Sequence, residues 1–479
     1  MRNACPLSLT PLLAVAALLS AAGCATVPDT GITPDPKAAA ALTTADSFAA
    51  PAADWPAARW WGAYGDPQLS ALIEAALEGT PSLAQAEARI RKAQASVAEG
   101  KSSLSPSLEL DANGGEVKQS VNQGFPPQFA QYLPRGYHSS GYLAFKFDYE
   151  FDFWGKNRSA IAASVSELRA AKADAAEARL ALSTGIALAY ADLKRLYAEY
   201  DVAARTVEVR EQTVDLVSRR VQNGLDTRAE LKQAQANPPA ARAQLAALEE
   251  EITQARDRIA ALMGAGPDRG LSIARPGPEQ LKAFGLPARL AADLLGRRPD
   301  VVAARWRAEA AAKRIRVARA QFYPNINLAA YVGQQALFAN LLWRGSSQIG
   351  SVEPAISLPI FEGGRLRAQY RGAVADYDDA VATYDATLVS ALQQVADVVA
   401  SERALVTRLE QSREALAANE EAYQLTRMRY EGGLSNYQSV LLAEDAVLQS
   451  RVTIADLDAR AFTLDVQLVQ ALGGGYTQT

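Results

Sequence analysis

Six glycines constrain this chain more than any other feature. Gly155, Gly224 and Gly264 recur as Gly364, Gly433 and Gly473, each pair 209 residues apart. A helical pattern opening at Pro81 reaches Pro106 after 25 residues, and one opening at Pro299 reaches Pro324 after 25. Self-similarity on this scale makes the chain two copies of one unit. Any fold must therefore accept every element twice.

Each copy holds a first helix, two alternating strands and a pair of longer helices. From Leu143 to Phe153 the odd positions are Leu143, Phe145, Phe147, Tyr149, Phe151 and Phe153, while the even positions from 146 hold Lys146, Asp148, Glu150 and Asp152. Leu108, Leu110 and Ala112 alternate with Ser107, Glu109, Asp111 and Asn113. In the second copy Ile326, Leu328, Ala330 and Val332 alternate with Asn325, Asn327 and Tyr331, and Val352, Ile356, Leu358 and Ile360 with Ser351, Glu353 and Ser357. Period two predicts four amphipathic strands. The joining segments, roughly 114 to 140 and 334 to 347, read as exposed loops. His138 is the only histidine; with no Cys, Asp or Glu at ligand spacing it reads as a solvated loop residue, and no metal site is expected.

After each return strand the period changes to seven. Val374, Val381, Leu388, Val395, Glu402, Leu409, Leu416, Tyr423 and Tyr430 share one heptad position. The first copy runs Leu168, Ala175, Leu182, Ala189, Leu196 and Ala203, then steps by four to Val207, Val214 and Val221. That step is a stutter, which locally unwinds a coiled coil. A continuous helix from 156 to 222 would be about 100 Å long at ~1.5 Å per residue. No ordinary globular core is that long. The helices turn near 222 to 230 and 431 to 440, where Gly224 and Gly433 offer the positive φ that ends a helix. Asn237-Pro238-Pro239 predicts a kink or break in the first return helix, with no counterpart in the second copy.

The N-terminus, MRNACPLSLTPLLAVAALLSAAGC, reads as a secretory signal; ordinary cleavage near Ala22 is one outcome, but Ala21-Ala22-Gly23-Cys24 resembles a lipobox, with Ala21 in place of the usual Leu, and so favours a bacterial lipoprotein signal over residues 1–23 with Cys24 as the lipidated first mature residue. After residue 24 no run of 18 apolar residues occurs, which excludes a conventional transmembrane helix. A net charge of −4 gives no basic footprint for nucleic acid, and no nucleophile elbow or metal cluster suggests a hydrolase.

An exported chain with strands of barrel-spanning length and no second layer to cover their aromatic face points to a membrane barrel. Residues 142 to 153 would reach roughly 28 Å across a bilayer at ~3.3 Å rise and ~45° tilt. The aromatic face meets lipid, and the face carrying Lys146, Asp148, Glu150 and Asp152 lines a lumen that its acids bias toward cations. Within lipid an open sheet edge is forbidden, and four strands cannot close, since bacterial barrels begin at about eight. The barrel must be shared: two chains would give eight strands, three twelve, and a water-filled pore favours three or more.

Six motifs in order, Trp60-Trp61 with Asp66-Pro67-Gln68-Leu69, YEFDFWGKNR (149 to 158), RRPDV (297 to 301), AQFYPNINL (320 to 328), SLPIFEGGRLRA (357 to 368) and RYEGGLSNYQSVL (429 to 441), resemble the TolC/OprM-type outer-membrane efflux family in its NodT-type lipoprotein branch. The resemblance covers nearly the whole mature chain. It implies a mainly α fold with membrane β: a homotrimer with a shared twelve-stranded barrel, a long periplasmic α-helical coiled-coil barrel, and an equatorial belt drawn from residues about 60 to 80, 264 to 298 and the C-terminus. The implied organisation is a tether over 24–59, a first repeat over 60–264 (strands about 105–118 and 141–153; helices about 82–104, 156–222 and 227–263), an inter-repeat segment over 265–298, a second repeat over 299–473 (strands about 323–334 and 348–361; helices about 299–321, 364–431 and 436–471), and a tail over 474–479.

The implied function is the exit duct of a tripartite pump, which catalyses nothing and needs no cofactor beyond the lipid on Cys24. Its implied partners are a periplasmic adaptor, an inner-membrane RND-type transporter and outer-membrane lipid. The resemblance assigns adaptor docking to Gly224, Leu225, Asp226, Thr227, Gly433, Leu434, Ser435, Asn436 and Tyr437. Relatives often carry an acidic gating ring where this chain has Leu442, so the constriction is either an apolar plug at Leu442 or acidic at Glu444 and Asp445, and these acids read equally well as solvated helix faces. A channel for type I protein secretion and a lipid-tethered periplasmic coiled-coil protein are the competing readings. The second leaves four membrane-type strands unexplained.

Overall fold

The computed structural model describes residues 26–478 except 32, 39–41, 121–125, 127, 129–131, 133, 278, 279, 282, 283 and 289. The signal segment and Cys24 lie outside the described residues. The chain folds into two compact units, and the long helices run from one into the other.

The first unit gathers Arg91–Arg169, Arg305–Ala382 and the described residues up to Asp35. Its centre is an antiparallel sheet of β1 (Ser107–Val117), β2 (His138–Phe151), β3 (Asn325–Ala336) and β4 (Gln348–Ser357), in sequence order. The β2–β3 ladder joins the two copies. Its register sets Phe145 against Val332, Phe147 against Ala330, Tyr149 against Leu328 and Phe151 against Ile326. On either side Leu110 faces Phe145 and Ile356 faces Ile326. Since alternate side chains share a face, one face of the sheet is almost wholly apolar. Yet Leu108 is 68% and Val352 72% exposed. Burying such side chains is worth about 1.5–3 kcal/mol each, so the face awaits a nonaqueous partner. β1 and β4 are the edges, with no strand beyond either among the described residues. β4 ends at Ser357, ahead of Pro359, so Leu358 and Ile360 fall outside it. Gly333 opposite Ala144 is a close approach: a Cβ there would lie 2.2 Å from the Leu143 carbonyl oxygen.

Helices α2 (Pro81–Ser102) and α7 (Pro299–Ala320) precede the strand pairs, and α3 (Lys156–Gln222) and α8 (Arg365–Glu431) follow them. The first helices and first strands of the two copies are offset by 218 residues, the long helices by 209. The β1–β2 connection, nine residues longer than β3–β4, accounts for the change.

The second unit comprises Pro36–Ile90, Ala170–Ala304 and Thr383–Thr479. It holds α1 (Pro67–Gly79), α4 (Arg228–Leu262), the short α5 (Asp268–Leu271) and α6 (Leu290–Arg297), and α9 (Tyr437–Ala471), with the adjoining parts of the long helices. One core packs Trp60, Trp61, Tyr64, Leu69 and Ile73 on Ile186, Tyr190 and Leu193 of α3, Ile259 of α4 and Phe462 of α9. Another packs Leu286, Leu290, Leu294 and Val301 on Leu388, Val395 and Val398 of α8 and Leu468 of α9. Among the described residues no helix is long and apolar enough to cross a membrane.

Of the kink or break expected at Pro238-Pro239, the break does not occur: α4 is helical through both. The prolines remove two N–H donors that would reach the carbonyls of Ala234 and Gln235. Packing outweighs the loss, because Ala234 and Pro238 are buried and Asn237 Nδ2 donates to Tyr437 Oη at 3.0 Å. His138 also departs from expectation. It opens β2, and its ring lies 5.1 Å from Phe338.

Candidate functional site

The two helix turns, α3 to α4 and α8 to α9, pack side by side around Val217, Ala234, Tyr430, Tyr437 and Val440. Gly224 and Gly433 take φ of 71° and 73°, as helix C-terminal turns require. Each return helix is then capped. Thr227 N–H donates to Glu230 Oε2 at 2.7 Å and Glu230 N–H to Thr227 Oγ1 at 3.3 Å, a reciprocal capping box. Asn436 Oδ1 accepts from Ser439 N–H at 3.0 Å.

The turns are locked together by Arg220, which the sequence reading did not single out. Its Nε donates to Asp226 Oδ2 at 3.0 Å and its Nη2 to Oδ1 at 3.3 Å. Its Nη1 donates to the carbonyls of Tyr430 at 2.5 Å and Glu431 at 3.3 Å, at the C-terminus of α8. The guanidinium also lies 4.2 Å from the centre of the Tyr430 ring, and Tyr430 Oη donates to Asp226. Burial, then Asp226, pushes the Tyr430 hydroxyl above its ordinary value.

Asp226 and Tyr437, expected on the docking surface, are therefore interior. The Asp226 side chain is almost fully enclosed and Tyr437 is buried, since a carboxylate facing an arginine and a ring filling a core cannot also face a partner. What the turns present outward is Leu225, 61% exposed, and Leu434, 75% exposed, the same position in the two copies. Gly224, Thr227, Gly433 and Asn436 are also exposed, and Ser435 is half-buried.

The three gate candidates part company. Leu442 is exposed. Glu444 is buried against α3, its Oε1 2.9 Å from Arg210 Nε and its Oε2 accepting from Thr213 Oγ1 at 3.0 Å. Asp445 is paired with the same arginine. Burial raises the Glu444 carboxyl above the usual range, and Arg210 only partly reverses this. Glu444 is thus an internal partner of Arg210 and does not form an exposed ring.

On the polar face of the sheet Asp148 is exposed, Lys146 is paired with Asp111, and Glu150 Oε1 is 2.5 Å from Lys156 Nζ. Asp152 leaves the set. Just past β2, it accepts from Arg158 N–H at 2.8 Å and Asn157 N–H at 3.2 Å at the start of α3, and with Arg158 Nε at 3.2 Å it is a helix cap. Burial alone would raise its carboxyl, but these donors together hold it below the usual range. Glu109 and Glu353 replace it, since the register puts Glu109 opposite Lys146 and Glu353 opposite Ala329, which faces Asp148.

The remaining motifs are joints of the fold. Trp154 Nε1 donates to the Pro324 carbonyl at 2.7 Å and stacks on Tyr323, clasping the two copies at the strand ends. Asp66 caps α1 through Gln68 N–H at 2.8 Å and accepts from Tyr190 Oη at 2.8 Å. Gln68 exchanges two hydrogen bonds with the Ala274 backbone, Nε2 to O at 3.0 Å and N–H to Oε1 at 2.9 Å. Arg298 grips Asp300, then Gln394 at 2.8 Å and the Ala471 carbonyl at 3.3 Å, tying α7, α8 and the end of α9.

Comparison with known proteins gives one consistent picture. A family model described as outer membrane efflux protein matches residues 72–265 and 290–474. The chain is 40% identical over 345 residues to the fusaric acid resistance protein FusA of Burkholderia cepacia, a match spanning 70% of this chain but 62% of that protein. It is 32% identical over 445 residues to the multidrug resistance outer membrane protein MdtP of Shigella flexneri, covering 91% of this chain and 90% of MdtP. Among solved structures it resembles the outer membrane protein VceC of Vibrio cholerae, with TM-score 0.82, 43% identity and coverage of 88% and 100%. It also resembles the outer-membrane channel OprN, with TM-score 0.83, 27% identity and coverage of 94% and 99%. The fold is that of the TolC-like outer-membrane channels.

Proposed function

The chain belongs to the outer membrane efflux protein family, and from that premise we propose that it is the exit duct of a tripartite pump, carrying drugs or other small molecules passively out through the outer membrane. The observation that carries the reading is the four-stranded sheet, with its exposed apolar face and two edges that pair with no further strand among the described residues. Unpaired backbone groups in lipid cost several kcal/mol each. Pairing β4 of one chain with β1 of the next removes them, and three chains give twelve strands around an aqueous lumen.

In this assembly Cys24 carries the lipid, and Leu225 and Leu434 offer the periplasmic adaptor an apolar pair on each protomer. An inner-membrane RND-type transporter supplies the energy. A small-molecule cargo agrees with relatives named for multidrug and fusaric acid resistance.

The test is the mass of the detergent-extracted complex, corrected for bound detergent, together with single-channel conductance in planar bilayers. Three chains and stable conducting steps are expected. A monomer without conductance under conditions that keep the fold intact refutes the proposal.

A further inference from the structure

The end of the sheet away from the long helices carries a feature that the channel function does not use. The β3–β4 connection, residues 337–347, is built. Two short 3-10 turns, Ala339–Leu341 and Gly345–Ser347, are closed by Arg344 N–H donating to the Leu341 carbonyl at 2.9 Å and Ser347 Oγ donating to the same carbonyl at 2.8 Å. Ala339 N–H donates to Ser139 Oγ at 3.1 Å and fastens the segment to β2.

Register decides toward which face it folds. Gly141 shares the face of Leu143, Phe145 and Phe147 and pairs with Ala336. A Cβ on Gly141 would meet Leu342 Cδ2 at 3.1 Å. Leu342 therefore lies over the apolar face at its rim. Next to it Trp343 is 75% exposed, and Arg344 is exposed too. Tyr137, just before β2, is another exposed aromatic at this end of the sheet. Phe153, Trp154 and Phe361 are exposed beyond the opposite ends of β2 and β4, so exposed rings flank the strands at both ends, as in membrane strands.

The charges point the same way. Residues 118–137 and 337–347 contain no Asp or Glu, and their cations are Lys118, Arg135 and Arg344. The nearest acid in the sequence is Glu116, which lies one residue from the end of β1 and pairs with Ser139. The polar face of the strands, by contrast, carries Glu109, Asp111, Asp148, Glu150 and Glu353.

We propose that the β3–β4 loop is a membrane-surface anchor: Leu342 and Trp343 seat at the acyl–headgroup boundary of the outer leaflet, and Arg344, with Arg135 and Lys118, binds phosphate-bearing lipid headgroups. Amphipathic rings belong at headgroup level, and arginine holds phosphate through paired N–H donors. The proposal rests on the reading of the sheet as part of an outer-membrane barrel.

The experiment compares full-length protein with W343F, both reconstituted in phosphatidylcholine vesicles brominated either near the headgroup or deep in the chains. Conductance is recorded on the same samples. The difference in emission between the two proteins isolates Trp343. Quenching about twofold stronger by the shallow label than by the deep one is expected. Adding lipid A should shift the Trp343 emission to the blue, and R135E/R344E should abolish that shift.

Trp343 quenched by aqueous iodide and by neither brominated lipid, with conductance intact, overturns the anchor and leaves the channel standing. Trp343 shielded from both iodide and lipid also overturns it, in favour of a neighbouring subunit as the occupant. Absent conductance with no tryptophan quenched by lipid overturns the channel reading, and the anchor with it.

Discussion

Replacing Arg220 with alanine should loosen both helix turns at once. The side chain is nearly enclosed and satisfies four acceptors, two on Asp226 and two carbonyls at the end of α8. Its removal leaves the Asp226 carboxylate buried, with the Tyr430 hydroxyl still donating to it. It also takes a cation from the C-terminus of α8, where the helix dipole favours one. Breaking a buried pair by deleting one partner costs about 3–5 kcal/mol. The loss is local, because the partners all lie within the turns. At ~1.4 kcal/mol per tenfold, amide exchange in segments 217–231 and 428–440 should accelerate by roughly two to three and a half orders of magnitude, while the core around Ile186, Tyr190 and Ile259 stays protected. Arg220→Lys, which keeps the charge but not the fork, should fall between. Hydrogen exchange by mass spectrometry reads this directly. Acceleration below about tenfold in R220A would refute the reasoning, since a clamp that satisfies four acceptors cannot be removed so cheaply.

Glu444→Gln should leave the protein at least as stable at neutral pH as the parent, despite losing an ion pair. The folded-state carboxyl is raised above its ordinary value, so its contribution to stability is full below the unfolded pKa and is lost as pH rises through the raised value. The advantage of E444Q in Tm should therefore shrink on acidification, and a variant less stable at neutral pH with no pH trend would contradict this. Asp152 has the opposite sign. Its lowered carboxyl stabilises above the unfolded pKa and loses that contribution as pH falls through the folded value; D152A should cost about 1 kcal/mol as a lost cap, measured as a denaturation midpoint that differs from the parent at neutral pH and converges with it in acid. Neutralising Glu109, Asp148, Glu150 and Glu353 together should move the cation-to-anion permeability ratio toward one in bilayer recordings. An unchanged ratio would mean that this face does not line the conducting path.

What could be read in advance was whatever repeats locally. The strand faces were legible because a strand alternates with period two, and Leu143 to Phe151 shows its face without knowledge of any partner. The glycine pairs were legible because a helix end needs positive φ wherever the chain goes next, and Gly224 and Gly433 have it. What could not be read were pairings across the chain. Arg220 meets Tyr430, Arg210 meets Glu444, and Asn237 meets Tyr437, each across 200 or more residues. Nothing within a window around Asp226 or Tyr437 says that they face inward. Asp152 looked like one more lumen acid because the alternation continues through it; its role depends on where the strand stops and α3 begins. At Pro238-Pro239 local propensity pointed to a kink or break, and packing of the surrounding helix kept it continuous.

Sequence alone thus determined the two copies, the amphipathic strands and the long heptad helices, because these follow from backbone periodicity and residue polarity within a few turns of chain. Tertiary structure decided which acids are exposed and which are caps or buried partners, and which residues of the turns remain available to a partner. Charge and burial at a site depend on side chains that only folding brings together.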